Sequence, residues 1–294
     1  MEDTQVHVTD ARVRLPDELR PPPVGDRDPL SHSEYDRVLD LGNKTAAGTV
    51  HSLLAQMDAA RVSDAVLHAE TETPAPAAEL NDAVLKLVHE YPDRFTGVGT
   101  IDMPPARPGV AAREVDRIAA DGLVGVNIEP AFFGLDIDDR WLYPTYARAE
   151  EHGLVVNLHT GVNYARNAPM RHERAELLDQ VACDFPDLRI VACHGGWPQV
   201  DEFVAVARRH PTVYLELGGL APKYVARRGS GWDVLMSMIP SVLRDRVLFG
   251  TDWPVMPHQR VLDEWQAMGL DDAVLRQVLG ANARSLYSRT PRQL

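Results

Sequence analysis

The chain is short of cysteine, of positive charge and of long apolar runs, and each shortage removes a class of protein. Only two of its 294 residues are cysteines, Cys183 and Cys193. They form no Cys-x-x-Cys pair, so neither a disulfide framework nor a paired-cysteine zinc motif is present. Two isolated thiols suit a reducing cytoplasm. Lys and Arg number 30 against 43 Asp and Glu, a formal net charge of -13. That balance speaks against non-specific binding to nucleic acid or to an anionic membrane. It leaves room for an anionic substrate, because local arginines override the mean. No apolar run approaches the ~20 residues of a membrane span. The first ten residues, MEDTQVHVTD, lack the basic and apolar regions of a signal peptide. A soluble, cytoplasmic protein is expected.

A Gly-rich phosphate loop after the first strand is also missing, which argues against a doubly wound dinucleotide-binding sheet. What is present is a regular alternation of strand and helix signals. Candidate strands are Thr4 to Val8, VSDAVLHAE, RFTGVGTID, LVGVNIEP, LVVNLHTG, LRIVACHGG, VYLELGG and RVLFGTDWP. Amphipathic helical patterns separate them, among them Asn81 to Tyr91, VAAREVDRIAADG closed by Gly122, and Trp141 to His152 closed by Gly153. Several strands are unbroken apolar runs, as expected of parallel strands covered on both faces. Eight such units predict an α/β fold, a single-domain (β/α)8 barrel over residues 1–294. The polar, Pro-rich stretch from about 15 to 43 is too long for a βα turn and is expected to lie over the barrel mouth as a lid.

In such a barrel the chemistry sits where strands end. Gln5 and His7 share one face of the first candidate strand, His159 ends the fifth, His194 the sixth and Asp252 the eighth. Imidazoles and a carboxylate are a good ligand set for zinc or manganese. A lone histidine at a strand end is more often a satisfied polar residue, but four such residues at matching ends are not needed for stability. Gly161, Gly195, Gly196, Gly218 and Gly219 follow strand ends, where the backbone turns sharply or approaches a ligand.

The segments LVVNLHTG, RIVACHGGWPQVDEF, VYLELGG and VLFGTDWP resemble the amidohydrolase superfamily, above all its amidohydrolase-related branch, which includes aminocarboxymuconate-semialdehyde decarboxylase-like enzymes. The likeness runs from the first strand to LGANARSLY. It implies a distorted TIM barrel with one divalent metal (Zn or Mn), often a homodimer. It also implies Asp-x-His-x-His on strand 1, whose two histidines bind metal with a strand-5 histidine and a strand-8 aspartate. Carried over, His7, His159 and Asp252 become ligands, and His194 the catalytic histidine or a further ligand. Read as Asp3-Thr4-Gln5-Val6-His7, the motif has Gln5 in place of its first histidine, a weaker neutral oxygen donor. Some members of that branch work without metal.

Two reactions fit this set. In hydrolysis of an amide, lactone or ester, Asp252 moves the proton of an activated water and His194 stabilises the oxyanion. In non-oxidative decarboxylation the same site holds a small aromatic or unsaturated acid. A non-catalytic binding barrel is the third reading. Substrate contacts are expected from Trp197 and Trp253 by stacking, from Arg166 and Arg171 by pairing with a carboxylate, and from Glu129 at the end of strand 4.

Overall fold

The computed structural model describes residues 9–15, 44, 48–71, 75–165 and 167–288. Its eight strands form one sheet in chain order, and all seven neighbouring pairs are parallel. They are β1 (Thr9–Arg14), β2 (Asp64–His68), β3 (Phe95–Thr100), β4 (Gly125–Ile128), β5 (Val155–His159), β6 (Arg189–Cys193), β7 (Val213–Glu216) and β8 (Val247–Leu248). The principal helices between them are α1 (Val50–Ala60), α2 (Ala77–Glu90), α3 (Pro108–Asp121), α4 (Tyr143–His152), α5 (Ala175–Asp184) and α6 (Val200–Arg209). Short helices α7 (Pro222–Val225) and α8 (Asp233–Met238) precede β8, and α9 (His258–Gln266), α10 (Asp272–Arg276) and α11 (Asn282–Tyr287) follow it. This is the TIM-barrel architecture that the alternating pattern predicts.

Burial follows the two faces of each strand. Ala65, Leu67, Val126, Val156, Leu158, Ile190 and Leu215 belong to the large core shared with the helices. Their neighbours Val66, Val98, Val155, Val191 and Leu248 form a second, interior cluster. Helix boundaries obey local chemistry. Thr49 and Ser52 make a reciprocal capping box on α1, each side-chain oxygen accepting from the other's backbone N–H at 3.0 Å. Pro108 opens α3, and Gly122, at φ 98°, closes it.

The lower end of the barrel, where strands begin, is sealed by α11. Ala283, Leu286 and Tyr287 join the interior cluster. Asn282 donates to the Val247 carbonyl at 2.9 Å, Arg284 pairs with Asp64, and Arg189 donates to the Leu286 carbonyl at 2.6 Å. The helix before it is broken by a π-helical turn, Gln277–Ala281, that packs against β1 and β8.

The residues read as the first strand, 4–8, lie outside the described residues; among the described residues the strand that pairs with β2 is Thr9–Arg14. The eighth strand is shorter than RVLFGTDWP suggests. Only Val247 and Leu248 pair with β7, and the chain leaves the sheet before Asp252. Residues 16–43, expected as a lid, lie outside the described residues. Among the described residues no helix is long and apolar enough to cross a membrane.

Candidate active site

At the upper rim the fifth, sixth and eighth strands bring three expected residues together. One pocket is lined by His159, His194 and Asp252, with Val162, Tyr164, Trp197, Gly219, Leu220 and Val255. The His159 and His194 rings lie edge to face, their centroids 4.8 Å apart. His159 is the last residue of β5, and its side chain is held from behind. Its Nδ1 hydrogen bonds with Oε1 of Glu173, a fully buried carboxylate in the 3-10 turn Met170–Glu173. Asn163 donates to the other oxygen, Oε2, at 2.8 Å. A carboxylate accepts only, so Nδ1 of His159 carries the proton and exchange with the pocket runs through Nε2.

His194 is held differently. Its Nδ1 lies 2.8 Å from the Gly218 carbonyl and donates to it, so that in the neutral ring Nε2 is the acceptor. Its backbone N–H donates to Glu216 Oε2 at 3.3 Å, and Gly218 N–H donates to Oε1 of the same carboxylate. Glu216, which ends β7, thus pins the turn that carries His194. Two histidines side by side therefore have unlike partners: a carboxylate and a backbone carbonyl.

The backbone at this rim is strained where the reactive side chains sit. His194 has φ 63° and Asp252 φ 52°, two of three non-glycine residues in the left-handed region among the described residues. Such residues persist when their surroundings over-determine them, and they cluster at functional sites. Gly219 makes room for both. A Cβ there would stand 3.1 Å from Asp252 Oδ2 and 3.2 Å from His194 Nδ1. Gly196, at φ 70°, is closely surrounded, since a Cβ would fall 1.9 Å from Cδ2 of the buried Phe203. Gly196→Ala is expected to cost about 3 kcal/mol through left-handed strand-end strain plus overpacking, read as a lowered urea midpoint at unchanged slope.

Other expected contacts are placed elsewhere. Trp197, 38% exposed, stands at the pocket edge as expected. Trp253, 2% exposed, is instead packed into the sheet–helix core and does not line the pocket. Its apolar bulk, next to Asp252 in sequence, goes to the core side of the turn. Glu129 is buried where β4 ends, outside the pocket lining, and Arg171 is exposed on the 3-10 turn. Arg166, Gln5 and His7 lie outside the described residues. Glu173 was not singled out from sequence. The only signal was its place two residues after Arg171 in the loop that follows His159.

Of the ligand set that the resemblance implies for a single divalent ion, Gln5 and His7 lie outside the described residues. Among the described residues His159, His194 and Asp252 do not by themselves gather into a three-ligand group. The group that does is Asp179, Cys183 and His210, on α5 and just beyond α6. There Asp179 is already engaged by His210 at 2.7 Å and Arg209 at 2.8 Å.

The sequence matches the Amidohydrolase family over residues 3–289. A curated relative, the 2-amino-3-carboxymuconate-6-semialdehyde decarboxylase of Dictyostelium discoideum, is 32% identical over 84 residues. That stretch is 28% of this chain and 23% of the relative, so the chain spans under a quarter of the curated enzyme it matches. Among solved structures, an uncharacterized TIM-barrel protein from Bordetella bronchiseptica is 26% identical, with TM-score 0.76, over 95% of this chain and 97% of that one. The 5-carboxyvanillate decarboxylase of Sphingomonas paucimobilis is 20% identical, with TM-score 0.73, over 97% of this chain and all of that one. The wider set of similar folds holds both decarboxylases and hydrolases. The chain belongs to the Amidohydrolase family, a group of enzymes that generally depend on metal.

Proposed function

We propose that the chain hydrolyses a lactone or related ester of a small carboxylated molecule at this pocket. The observation that carries this reading is the convergence of two differently supported histidines and Asp252 on one pocket. His194, a neutral ring with an acceptor at Nε2, orients a water by accepting one of its protons in a hydrogen bond. Asp252 takes the other proton as the water oxygen bonds to the carbonyl carbon. In its protonated form His159, its Nδ1–H held by Glu173, donates from Nε2 to the oxyanion that forms. When the C–O bond breaks, Asp252 returns the proton to the leaving oxygen.

Cofactor-free decarboxylation is the second reading. It is favoured by the likeness to the Dictyostelium decarboxylase and by the fold shared with a carboxyvanillate decarboxylase. There the same groups hold a carboxylate and give a proton to the carbon that loses CO2. A panel of pyrone carboxylates, aliphatic lactones and hydroxybenzoates separates the two. Hydrolysis consumes base in a pH-stat and incorporates one 18O from labelled water into the acid product. Decarboxylation releases CO2 and incorporates solvent deuterium at carbon. CO2 release without lactone opening would overturn the first reading in favour of the second.

A further inference from the structure

We propose that Asp179, Cys183 and His210 form a zinc site on the outside of the barrel, near the end where strands begin, and that the ion staples α5 to α6. The site shares no residue with the catalytic mouth, so it stands or falls apart from the reaction proposed there.

Three observations lead to it. First, three kinds of donor converge. The Asp179 carboxylate, the Cys183 thiol and an imidazole nitrogen of His210 lie within 4.8 Å of one another, the one such group of three among the described residues. Thiolate, imidazole and carboxylate are the donors zinc takes, and a tetrahedral ion holds them about 3.5 Å apart. Asp179 Oδ1 and His210 Nε2 are already 2.7 Å apart. The longer separations are therefore those to Cys183, whose side chain is exposed and able to turn inward. Second, the backbone is fixed. Asp179 and Cys183 stand four residues apart on α5 and so share a face of that helix. His210 directly follows α6, its N–H donating to the Val206 carbonyl at 2.9 Å and its own carbonyl accepting from Val213 N–H at 3.1 Å. Both helices end here, and helix C-termini favour a cation. Third, a cation already occupies the place. Arg209, exposed at the end of α6, donates to Asp179 Oδ2 at 2.8 Å and lies 3.7 Å from Cys183 Sγ. Its guanidinium thus touches two of the three donors.

The exchange balances. Zn2+ enters and the Arg209 side chain swings into solvent. The Cys183 thiol proton leaves to water, and the His210 ring proton moves from Nε2, where Asp179 accepts it, to Nδ1. Two negative donors then face a doubly positive ion, whose fourth position is open to water. α5 leads into β6 and α6 follows it, so the staple braces the strand after which His194 comes.

Cobalt(II) titration of the metal-stripped, full-length protein tests the site without any substrate. A cysteine ligand gives a thiolate-to-cobalt charge-transfer band in the near ultraviolet, which imidazole and carboxylate donors at the mouth do not give. About one equivalent is expected to saturate the band, and Zn2+ to displace it. The band should persist in His159→Gln and vanish in Cys183→Ser, while His210→Gln should bind at least about tenfold more weakly. Melting of the metal-free variants checks that each folds as the parent does. Arg209→Gln is expected to bind Zn2+ about tenfold more tightly, because a competing positive charge is gone. Zinc at about a hundredfold excess over its Kd should raise the melting temperature of His159→Gln by about 5 °C. In His159→Gln that also carries Cys183→Ser, the rise should be absent. No saturation below about 1 mM, or a band that survives Cys183→Ser unchanged, would overturn the assignment. Looser binding in Arg209→Gln would do the same, since the guanidinium would then support the cluster in place of an ion.

Discussion

Asp252→Asn is expected to lower kcat about 10³-fold while the far-ultraviolet spectrum and melting temperature stay close to those of the parent. The substitution keeps the shape of the side chain and its place beside Gly219, 6% exposed at the pocket wall. It removes the only function that an amide lacks, acceptance of a proton. General-base catalysis contributes roughly 10²–10⁴ in rate, so the loss falls in that range if the base is unassisted. Asp252 also holds φ at 52°, a conformation that Asn adopts more readily than most residues, which is why folding is spared. KM should change little. A variant that retains a tenth or more of the parent kcat would show that another group moves the proton. The same substitution acts on either reaction proposed here, so its outcome is independent of which substrate is found.

Glu173→Gln is expected to lower kcat about 10²-fold or more while KM changes little. In the parent, the Glu173 carboxylate accepts from Nδ1 of His159 and so sets both the ring's tautomer and the direction of Nε2, the oxyanion donor in the scheme above. A Gln amide can present its NH2 to Nδ1 instead, which favours the opposite tautomer and turns the pocket-facing nitrogen away from its role. Loss of an orienting carboxylate behind a catalytic histidine has cost about 10⁴ where it has been measured in a serine protease, which sets the scale. Glu173 touches no reacting atom and acts through His159, so the diagnostic is a fall in kcat with KM and the melting temperature close to those of the parent, and recovery of activity in Glu173→Asp relative to Glu173→Gln. Circular dichroism provides the control, because a Gln amide facing the Asn163 amide also disturbs a buried contact.

The barrel was legible because its signals are local and redundant. Val66, Val98, Val155 and Val191 recur at corresponding places in short apolar runs, and Gly122 and Gly153 stop helices where left-handed geometry is needed. His159, His194 and Asp252 were legible for a different reason: a polar residue at the end of an apolar strand stands out. The strand Thr9–Arg14 failed that test in reverse. TDARVR reads as a solvent-exposed segment, and only pairing with β2 reveals it as a member of the sheet. Glu173 was invisible because nothing near it in sequence marks it. Its partner is 14 residues away, and the contact exists only after the loop following β5 has folded back. Trp253 was misplaced because side-chain direction in an irregular turn has no period from which to predict it.

The sealing of the barrel floor by α11 has a consequence for how the protein is made. Ala283, Leu286 and Tyr287 come after every strand in the chain, so a ribosome has delivered all eight before the stopper arrives. Until then Val66, Val98, Val155, Val191 and Leu248 line a tube open at its base, with Asp64 and the Val247 carbonyl lacking the groups that Arg284 and Asn282 bring. Such a half-corked intermediate exposes apolar surface to other nascent chains, and it persists for as long as translation of the last stretch takes. Slow codons over residues 270–287 would prolong that exposure, which makes the tempo of synthesis there a determinant of yield.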